Sequence, residues 1–448
     1  ELPTRLIEVG KAGDPKVQLR VTNPADTCSW VALSHRWGPE PHFCTTVGNL
    51  DGHLNGIKVK AVSATFRDAV MVTRALGCRY LWIDSLCIAQ GDGGDFNEES
   101  KRMPQVYSGV YCVLAASRAA NHYAGFLGPR RKKEVVALRQ GGQPCFYISE
   151  NIDDFNGHVL EGELNSRGWV LQEYALARRT VFFIDHQTYF ECGQGVRCET
   201  MMTMRNDRAA FLGDPNFPQI IQKADQGEKI LLYQDLYERY SRLGLSNDFD
   251  RPVAIDGLQA RILAVLRSTT KGGFGVFDEG DERGLLRRSL LWQRAEHEPL
   301  ARITFPSNWA ISTVPSWSWM AYTGAIKYVS PHPPFGRVRW EALRSPWSGG
   351  TGGVKTETRA GDVALVGEGR EYDPLRGYDG DQEDVDRELV FDVPGQSEQL
   401  KALCVVLGIQ TGVPRNDGRC YVLLVKAAAE SKDRKGEKIY ERVGAGYL

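Results

Sequence analysis

An α/β fold is predicted, in which a parallel sheet with flanking helices is followed by a helical middle and a β-rich C-terminal region. Three observations carry this expectation. Short apolar runs rich in strand formers recur through the first half of the 448-residue chain; segments of helical period separate them; and the texture changes near residue 218, first to amphipathic helices and then to alternating strands. Strands joined by helical crossovers imply parallel pairing, with both faces of the sheet buried.

Taken in order, WVALSHRWG (30–38) opens as a strand and ends in a polar turn closed by Gly38. TFRDAVMVTRALG (65–77) places Phe66, Ala69, Val70, Val72, Thr73 and Leu76 near one helical face. YLWIDSLCI (80–88) reads as a second buried strand. The Gly-rich AQGDGGDF then leads into NEESKRMPQVYSGV, a helix kinked or broken near Pro104. YCVLAAS (111–117) is a third strand, and the stretch 130–150, with GPRRKKE and RQGGQP, reads as loop. SRGWVLQEYALARRTVFF (166–183) supplies a helix over 168–177 and a strand over 180–184. Farther on, PQIIQKADQGEKILLYQDLYERYSRLGLS and GLQARILAVLRSTTKG are amphipathic helices. PSWSWMAYTG (315–324) and the sequence beyond 360 alternate as strands, interrupted by SGGTGG and an acidic loop at 379–388. The expected division is an α/β unit over 1–200, a helical region over 201–300 and a β-rich region over 301–448.

This length suits two or three packed units and can bury a site. Lys and Arg number 55 against 56 Asp and Glu, and no long block of one sign occurs, which argues against nucleic acid or an anionic membrane as partner. The 10 cysteines are scattered with no CxxC pair, as in reduced intracellular thiols. No run of about 18 apolar residues is present. A soluble, cytoplasmic protein is expected, and the start at Glu1 rather than Met is compatible with a lost leader.

In parallel sheets, sites form outside the carboxyl ends of the strands. Three polar clusters fall there: Ser34, His35, Arg36 and Trp37; Asp84, Ser85 and Cys87; Ser117 and Arg118. A carboxylate inside LWIDSLCI costs several kcal/mol to bury unless paired, so Asp84 either accepts hydrogen bonds from a turn or lines a polar cleft. Arg36 and Arg167 are its candidate partners, and could equally bind a phosphate. Glu173 poses the same problem. It stands one helical turn from Trp169, where a desolvated carboxylate beside an indole suits catalysis; the alternative is a structural Glu paired with Arg178, Arg179 or a helix terminus.

Other candidates are weaker. His35 and Cys87 could pair as base and thiol nucleophile, although Cys87 in an apolar strand reads better as core. The 8 histidines show no HExxH or finger spacing, so no metal is predicted. GGTGGVKT (349–356) has Val354 before its Lys and no strand-to-helix context, and reads as a linker rather than a phosphate loop. DGDQEDVD lacks the Gly and terminal Glu of a calcium loop.

Three of these stretches together, WVALSHRWG, FRDAVMVTRALGCRYLWIDSLCIAQGDGGDFNEESKRMPQVYSGVYCVLAAS and SRGWVLQEYALARRTVFF, resemble the blocks of the fungal heterokaryon incompatibility (HET) domain over roughly residues 30–190. The later PSWSWMAYTG and RVGAGYL (442–448) are similar to trailing parts of such proteins. Phe96 stands where the family usually has Trp. The resemblance implies a role in non-self recognition after cell fusion and in programmed cell death, with self-association or a recognition partner.

The element order also resembles, distantly, the TIR domain, a flavodoxin-like fold; WVLQE is similar to its Trp-x-x-x-Glu helix, whereas the insertion over about 119–165 departs from it. In NAD-cleaving TIR domains that Glu is catalytic, which places the role on Glu173, with NAD as substrate and no bound cofactor. Ser34, His35, Arg36, Trp37, Asp84, Ser85, Arg167 and Trp169 would then bind the nucleotide. Cleavage through an oxocarbenium-like state needs one carboxylate to stabilise developing charge. The alternatives are a non-catalytic interaction and signalling module, and a secondary-metabolism enzyme using His35, Asp84 or Cys87.

Overall fold

The computed structural model describes residues 2–130, 135–141, 143–204, 206, 226–266, 269–280, 284–295, 299–309, 311, 313–329, 337–344, 346–347, 355–356, 388–394, 403–413, 418–432 and 438–447. The SGGTGG linker, the acidic loop over 379–387 and most of the phosphate-loop-like GGTGGVKT lie outside them. Two compact units are present, one of residues 1–220 and 253–258 and the other of 221–252 and 259–448.

The first unit is built on a 10-stranded sheet. Its strands are β1 (Arg5–Glu8), β2 (Lys16–Val21), β3 (Trp30–Ser34), β4 (Ile57–Lys58), β5 (Tyr80–Trp82) and β6 (Cys112–Ala115). A hairpin of β7 (Val135–Gln140) and β8 (Gln143–Ser149) stands apart from this sheet, and β9 (Arg179–Phe183), β10 (Thr188–Cys192), β11 (Gly195–Cys198) and β12 (Thr203–Met204) complete it. The order across the sheet is β12-β11-β10-β9-β6-β3-β5-β1-β2-β4.

Pairing is parallel only at the centre, between β5 and β3, β3 and β6, and β6 and β9. The flanking pairs are antiparallel, so the sheet is mixed rather than wholly parallel. Connection length explains the pairs that follow one another in the chain. The links within β9 to β12 and from β1 to β2 are hairpin-like, too short for a crossover. The central strands are instead joined through α1 (Leu50–Asn55), α2 (Ala64–Ala75), α3 (Asp84–Cys87), α4 (Phe96–Glu99), α5 (Met103–Gly109) and α6 (Gly168–Leu176). Central strand β3 is buried at every position, as expected of a strand covered on both faces.

Most predicted elements occur near their expected places, with four corrections. YLWIDSLCI is a strand only to Trp82; the backbone then turns, with Cys87 N donating to the Ile83 carbonyl at 2.7 Å and Ile88 N to that of Asp84 at 3.0 Å. Asp84 itself initiates the turn, its Oδ1 accepting from Ser85 N at 2.7 Å. The stretch 130–150 is not loop throughout: β7 and β8 form a hairpin around Gly141, whose φ of 61° suits a tight turn between two alternating runs. PSWSWMAYTG is not a strand but a turn and a short 3-10 helix (Trp319–Ala321), because the Ser318 hydroxyl accepts from Met320 N at 3.0 Å and caps it. Leu76 lies beyond the last turn of α2 and is exposed, while Phe66, Ala69, Val70 and Thr73 form the buried face. The predicted break near Pro104 is present, as α4 passes through a 3-10 turn into α5.

The segments Gln226–Ser241 and Asp256–Val265 are helical. The second unit holds a 5-stranded antiparallel sheet in the order Val338–Trp340, Leu403–Gln410, Cys420–Lys432, Lys438–Tyr447, Glu388–Phe391. One face packs Leu407, Tyr421 and Ala445 against Leu286 and Leu290. Beside it Arg442 lies fully buried. Its Nη1 donates to both carboxylate oxygens of Asp392 at 2.7 Å, its Nη2 donates to the Trp292 carbonyl, and its guanidinium lies 3.1 Å from the Trp292 ring centroid. Among the described residues no helix is long and apolar enough to cross a membrane.

Candidate functional site

Across the central sheet the strand order reverses beside β3: the chain moves to one side for β5 and to the other for β6 and β9. In open α/β sheets such a switch point, at the carboxyl ends of the strands, is the usual place for a binding site. Ser34 is the last residue of β3 and His35 follows it; Asp84 stands just past β5; α6, between β6 and β9, supplies Glu173. The apolar helix GWVLQEYAL is buried along most of its length, so its one acidic side chain is carried inward with it.

Glu173 is only 6% exposed. Burial pushes its pKa up to about 7 and the Asp84 charge adds to the rise, while Ser34, Arg167 and Tyr107 pull it back. The Ser34 and Tyr107 hydroxyls lie near enough to favour the ionised form. Even so, Glu173 Oε2 and Ser34 Oγ each lack a hydrogen bond of standard geometry. A carboxyl so placed is poised between its two protonation states near neutrality and retains an unused acceptor.

Asp84 is positioned by neither predicted arginine. Its Oδ2 accepts from Trp37 Nε1 at 2.7 Å, and its Oδ1 lies 3.8 Å from His35 Nδ1. Arg36 is drawn away to Glu163 and to the Ala119 carbonyl at 3.1 Å, and Arg167 donates to the His35 carbonyl at 3.0 Å. Arg36 and Arg167 thus hold the loop after β3, and Arg167 also supplies positive charge near Glu173. Pairing of Glu173 with Arg179 is not made either: Arg179 donates to the Tyr111 carbonyl and lies over the Tyr111 ring.

His35 packs edge-on against Phe66, with ring centroids 5.1 Å apart, and its Nε2 has no partner. Burial lowers its pKa to about 4 against the opposing pull of Asp84, so the imidazole is neutral at pH 7. Ser85 is buried and contributes its backbone N–H to Asp84. Trp169 is partly exposed and meets Phe96 edge-on at 6.2 Å, so the aromatic at position 96 remains beside the helix. Arg118 is structural, bound to Asp185 and to the carbonyls of Gly128 and Pro129. Cys87 is not a nucleophile: burial pushes its thiol up to about 12, because it sits inside the α3 turn rather than on an open strand end.

Sequence reasoning missed Tyr107 and two histidines. Tyr107 falls with Met103 and Val106 on the buried face of α5 and reads as core; only the folded chain brings it to Glu173. His42 and His122 flank Trp37, their rings 5.6 Å apart, and His122 Nδ1 contacts the Trp37 carbonyl. Their wide separation in sequence gives no signal. Among the described residues no group of three or more His, Cys, Asp or Glu could hold a metal.

Gly38 closes the loop that carries His35 and Trp37. Its φ is 79°, and a Cβ there would lie 2.2 Å from the Cβ of Asn121. Gly38→Ala is therefore expected to destabilise the protein by about 1–3 kcal/mol, read as a lower urea midpoint. An unchanged midpoint would show that the loop relaxes freely.

The fold and site together define an α/β unit with a desolvated carboxylate at the switch point of its parallel strands. Residues 30–173 match the model of the family described as heterokaryon incompatibility protein (HET), a match ending on Glu173 itself. No curated protein and no solved structure matches the chain significantly.

Proposed function

We propose that this HET-domain protein acts in heterokaryon incompatibility and the associated cell death by hydrolysing the nicotinamide–ribose bond of NAD, with Glu173 as the catalytic carboxylate. The observation that carries this reading is the Glu173 side chain, buried at the strand ends with its Oε2 unpartnered and its pKa raised to about 7. Two further features support it: the Trp169-to-Glu173 spacing on α6, and the order β5-β3-β6-β9, which follows that of flavodoxin-like sheets.

As the C–N bond to nicotinamide lengthens, positive charge grows on the ribose, and ionised Glu173 stabilises it. Nicotinamide departs with the bonding electron pair. Water then adds to the ribose carbon and loses its proton to Glu173, leaving ADP-ribose. Arg167 and the loop of Ser34 to Trp37 contact the nucleotide, and Trp169 offers a stacking face. Because Glu173 is nearly closed off, substrate entry requires the surrounding loops to part.

The test is nicotinamide release from NAD by the purified protein, assayed dilute and concentrated, beside Glu173→Ala. Release that falls to background in the variant is expected; equal background release from both proteins at both concentrations rejects the reading. A second reading, a non-catalytic interaction module, is favoured by the exposed apolar hairpin β7/β8. It predicts that Glu173→Gln leaves cell death intact while changes on that hairpin abolish it.

A further inference from the structure

We propose that the segment 253–258 is a brace for helix α6, in which Gly257 and Gln172 are positioning residues that aim Glu173 into the site. The inference rests on the reading of Glu173 as the catalytic carboxylate. The chain enters this segment from the second unit after residue 252 and returns to that unit at 259, while 253–258 belong to the first. Val253, Ala254, Ile255 and Leu258 are all buried. Gly257 N donates to Gln172 Oε1 at 2.8 Å, a buried bond between residues 85 apart in sequence. Its cause is local. Gly257 is the second residue of the helix Asp256–Val265, and the first N–H groups of a helix have no acceptor within it. Gln172 supplies the missing acceptor.

The fit leaves no room for a side chain at position 257. A Cβ there would lie 2.5 Å from Pro104 Cβ and 2.7 Å from Gln172 Oε1, so the glycine is seated against both α5, which carries Tyr107, and α6, which carries Glu173. The residue that follows Glu173 is tied down as well: the Tyr174 hydroxyl accepts from Asn206 Nδ2, which also donates to Glu191 Oε1 at 2.8 Å. Consecutive side chains leave a helix about 100° apart, so the bonds to Gln172 and to Tyr174 act in different directions and fix the rotation of α6 about its axis. Glu173 is thereby held in place by its two neighbours, and its own Oε2 stays without a partner.

The test compares four proteins: wild type; Gln172→Met, which keeps the shape and removes the acceptor; Gly257→Ala; and Val17→Ala, a control that removes buried volume from β2, several strands away from α6 in the sheet. Two readouts are taken: steady-state nicotinamide release, and the pH at which Glu173 titrates, read from urea unfolding of each protein beside its own Glu173→Gln partner. In Gln172→Met and Gly257→Ala, kcat is expected to fall about tenfold or more with KM within about threefold. The titration should move down from about 7 by about half a unit or more, because a freed α6 lets water reach the carboxyl. Val17→Ala should lose stability and change neither readout. A wild type that releases no nicotinamide rejects the catalytic reading alone, and the titration then decides the brace. Loss of stability in Gln172→Met with the titration unmoved overturns the proposal, as does an equal shift in Val17→Ala or a wild type in which Glu173 does not titrate. Gln172→Met carries the test if Gly257→Ala fails to fold.

Discussion

Glu173→Gln is expected to abolish nicotinamide release and, above pH 7, to make the protein more stable than the wild type by roughly 3 kcal/mol. The sign follows from the direction of the shift. Burial, reinforced by Asp84, raises the Glu173 pKa to about 7 from an ordinary 4.5, so between those values the native state holds the proton more often than the unfolded chain. The stability this contributes is present below pH 4.5 and is lost as pH rises through 7. Glutamine has no proton to lose, so the difference between the two proteins should grow from pH 4.5 upward and level off above 7. Urea unfolding at a series of pH values reads this directly. A parallel pair of curves would mean that Glu173 is solvated or paired. Activity should move the opposite way, rising through about pH 7 as the carboxylate ionises. His35 supplies the opposite stability slope: its pKa falls from 6.5 to about 4, so the stability it contributes is present above pH 6.5 and lost as pH drops through 4.

Arg442→Ala should cost about 3–5 kcal/mol, as it strands Asp392 without a partner in a buried site. The guanidinium meets three groups at once: the Asp392 carboxylate, the Trp292 carbonyl and the Trp292 ring. Burial nevertheless raises the pKa of Asp392 and lowers that of Arg442, each toward its neutral form, against the attraction between them. Their mutual attraction therefore does not fully offset desolvation. Arg442→Leu combined with Asp392→Leu should consequently lose less stability than Arg442→Ala. Equilibrium unfolding of the wild type, Arg442→Leu, Asp392→Leu and the double variant, beside Arg442→Ala, measures the comparison, and additive losses from the two single leucine substitutions would show that the residues do not act as a pair.

The sequence made β3, α2, β6, α6 and β9 legible because each is a long enough run of one period, and period is set by which side of the backbone must be buried. Where a single polar group captures the backbone, period misleads. Asp84 turns the chain after Trp82, and Ser318 caps a short helix within an alternating W-x-W pattern. At the site, strand-end logic singled out Ser34, His35 and Asp84, and helical spacing from Trp169 singled out Glu173, since each follows from local pattern plus parallel order. It could not assign partners. The choice of Trp37 over Arg36 for Asp84, and the approach of Tyr107 to Glu173, depend on long-range packing between α5, α6 and the β3 loop.

The antiparallel strands added to the central sheet bear on how this protein can be cut into smaller working pieces. The family match begins at residue 30 and stops at 173, yet β1 pairs with β5 from outside that span, and Arg5 holds the α3 region through the Cys87 carbonyl and Asp95. At the other end, β9 completes the parallel core only after residue 178. A fragment trimmed to the match would leave β5 and β6 with bare edges of unpaired backbone, open to pairing with other chains. Such a fragment would aggregate, and its silence in an assay would report on its boundaries rather than on its chemistry.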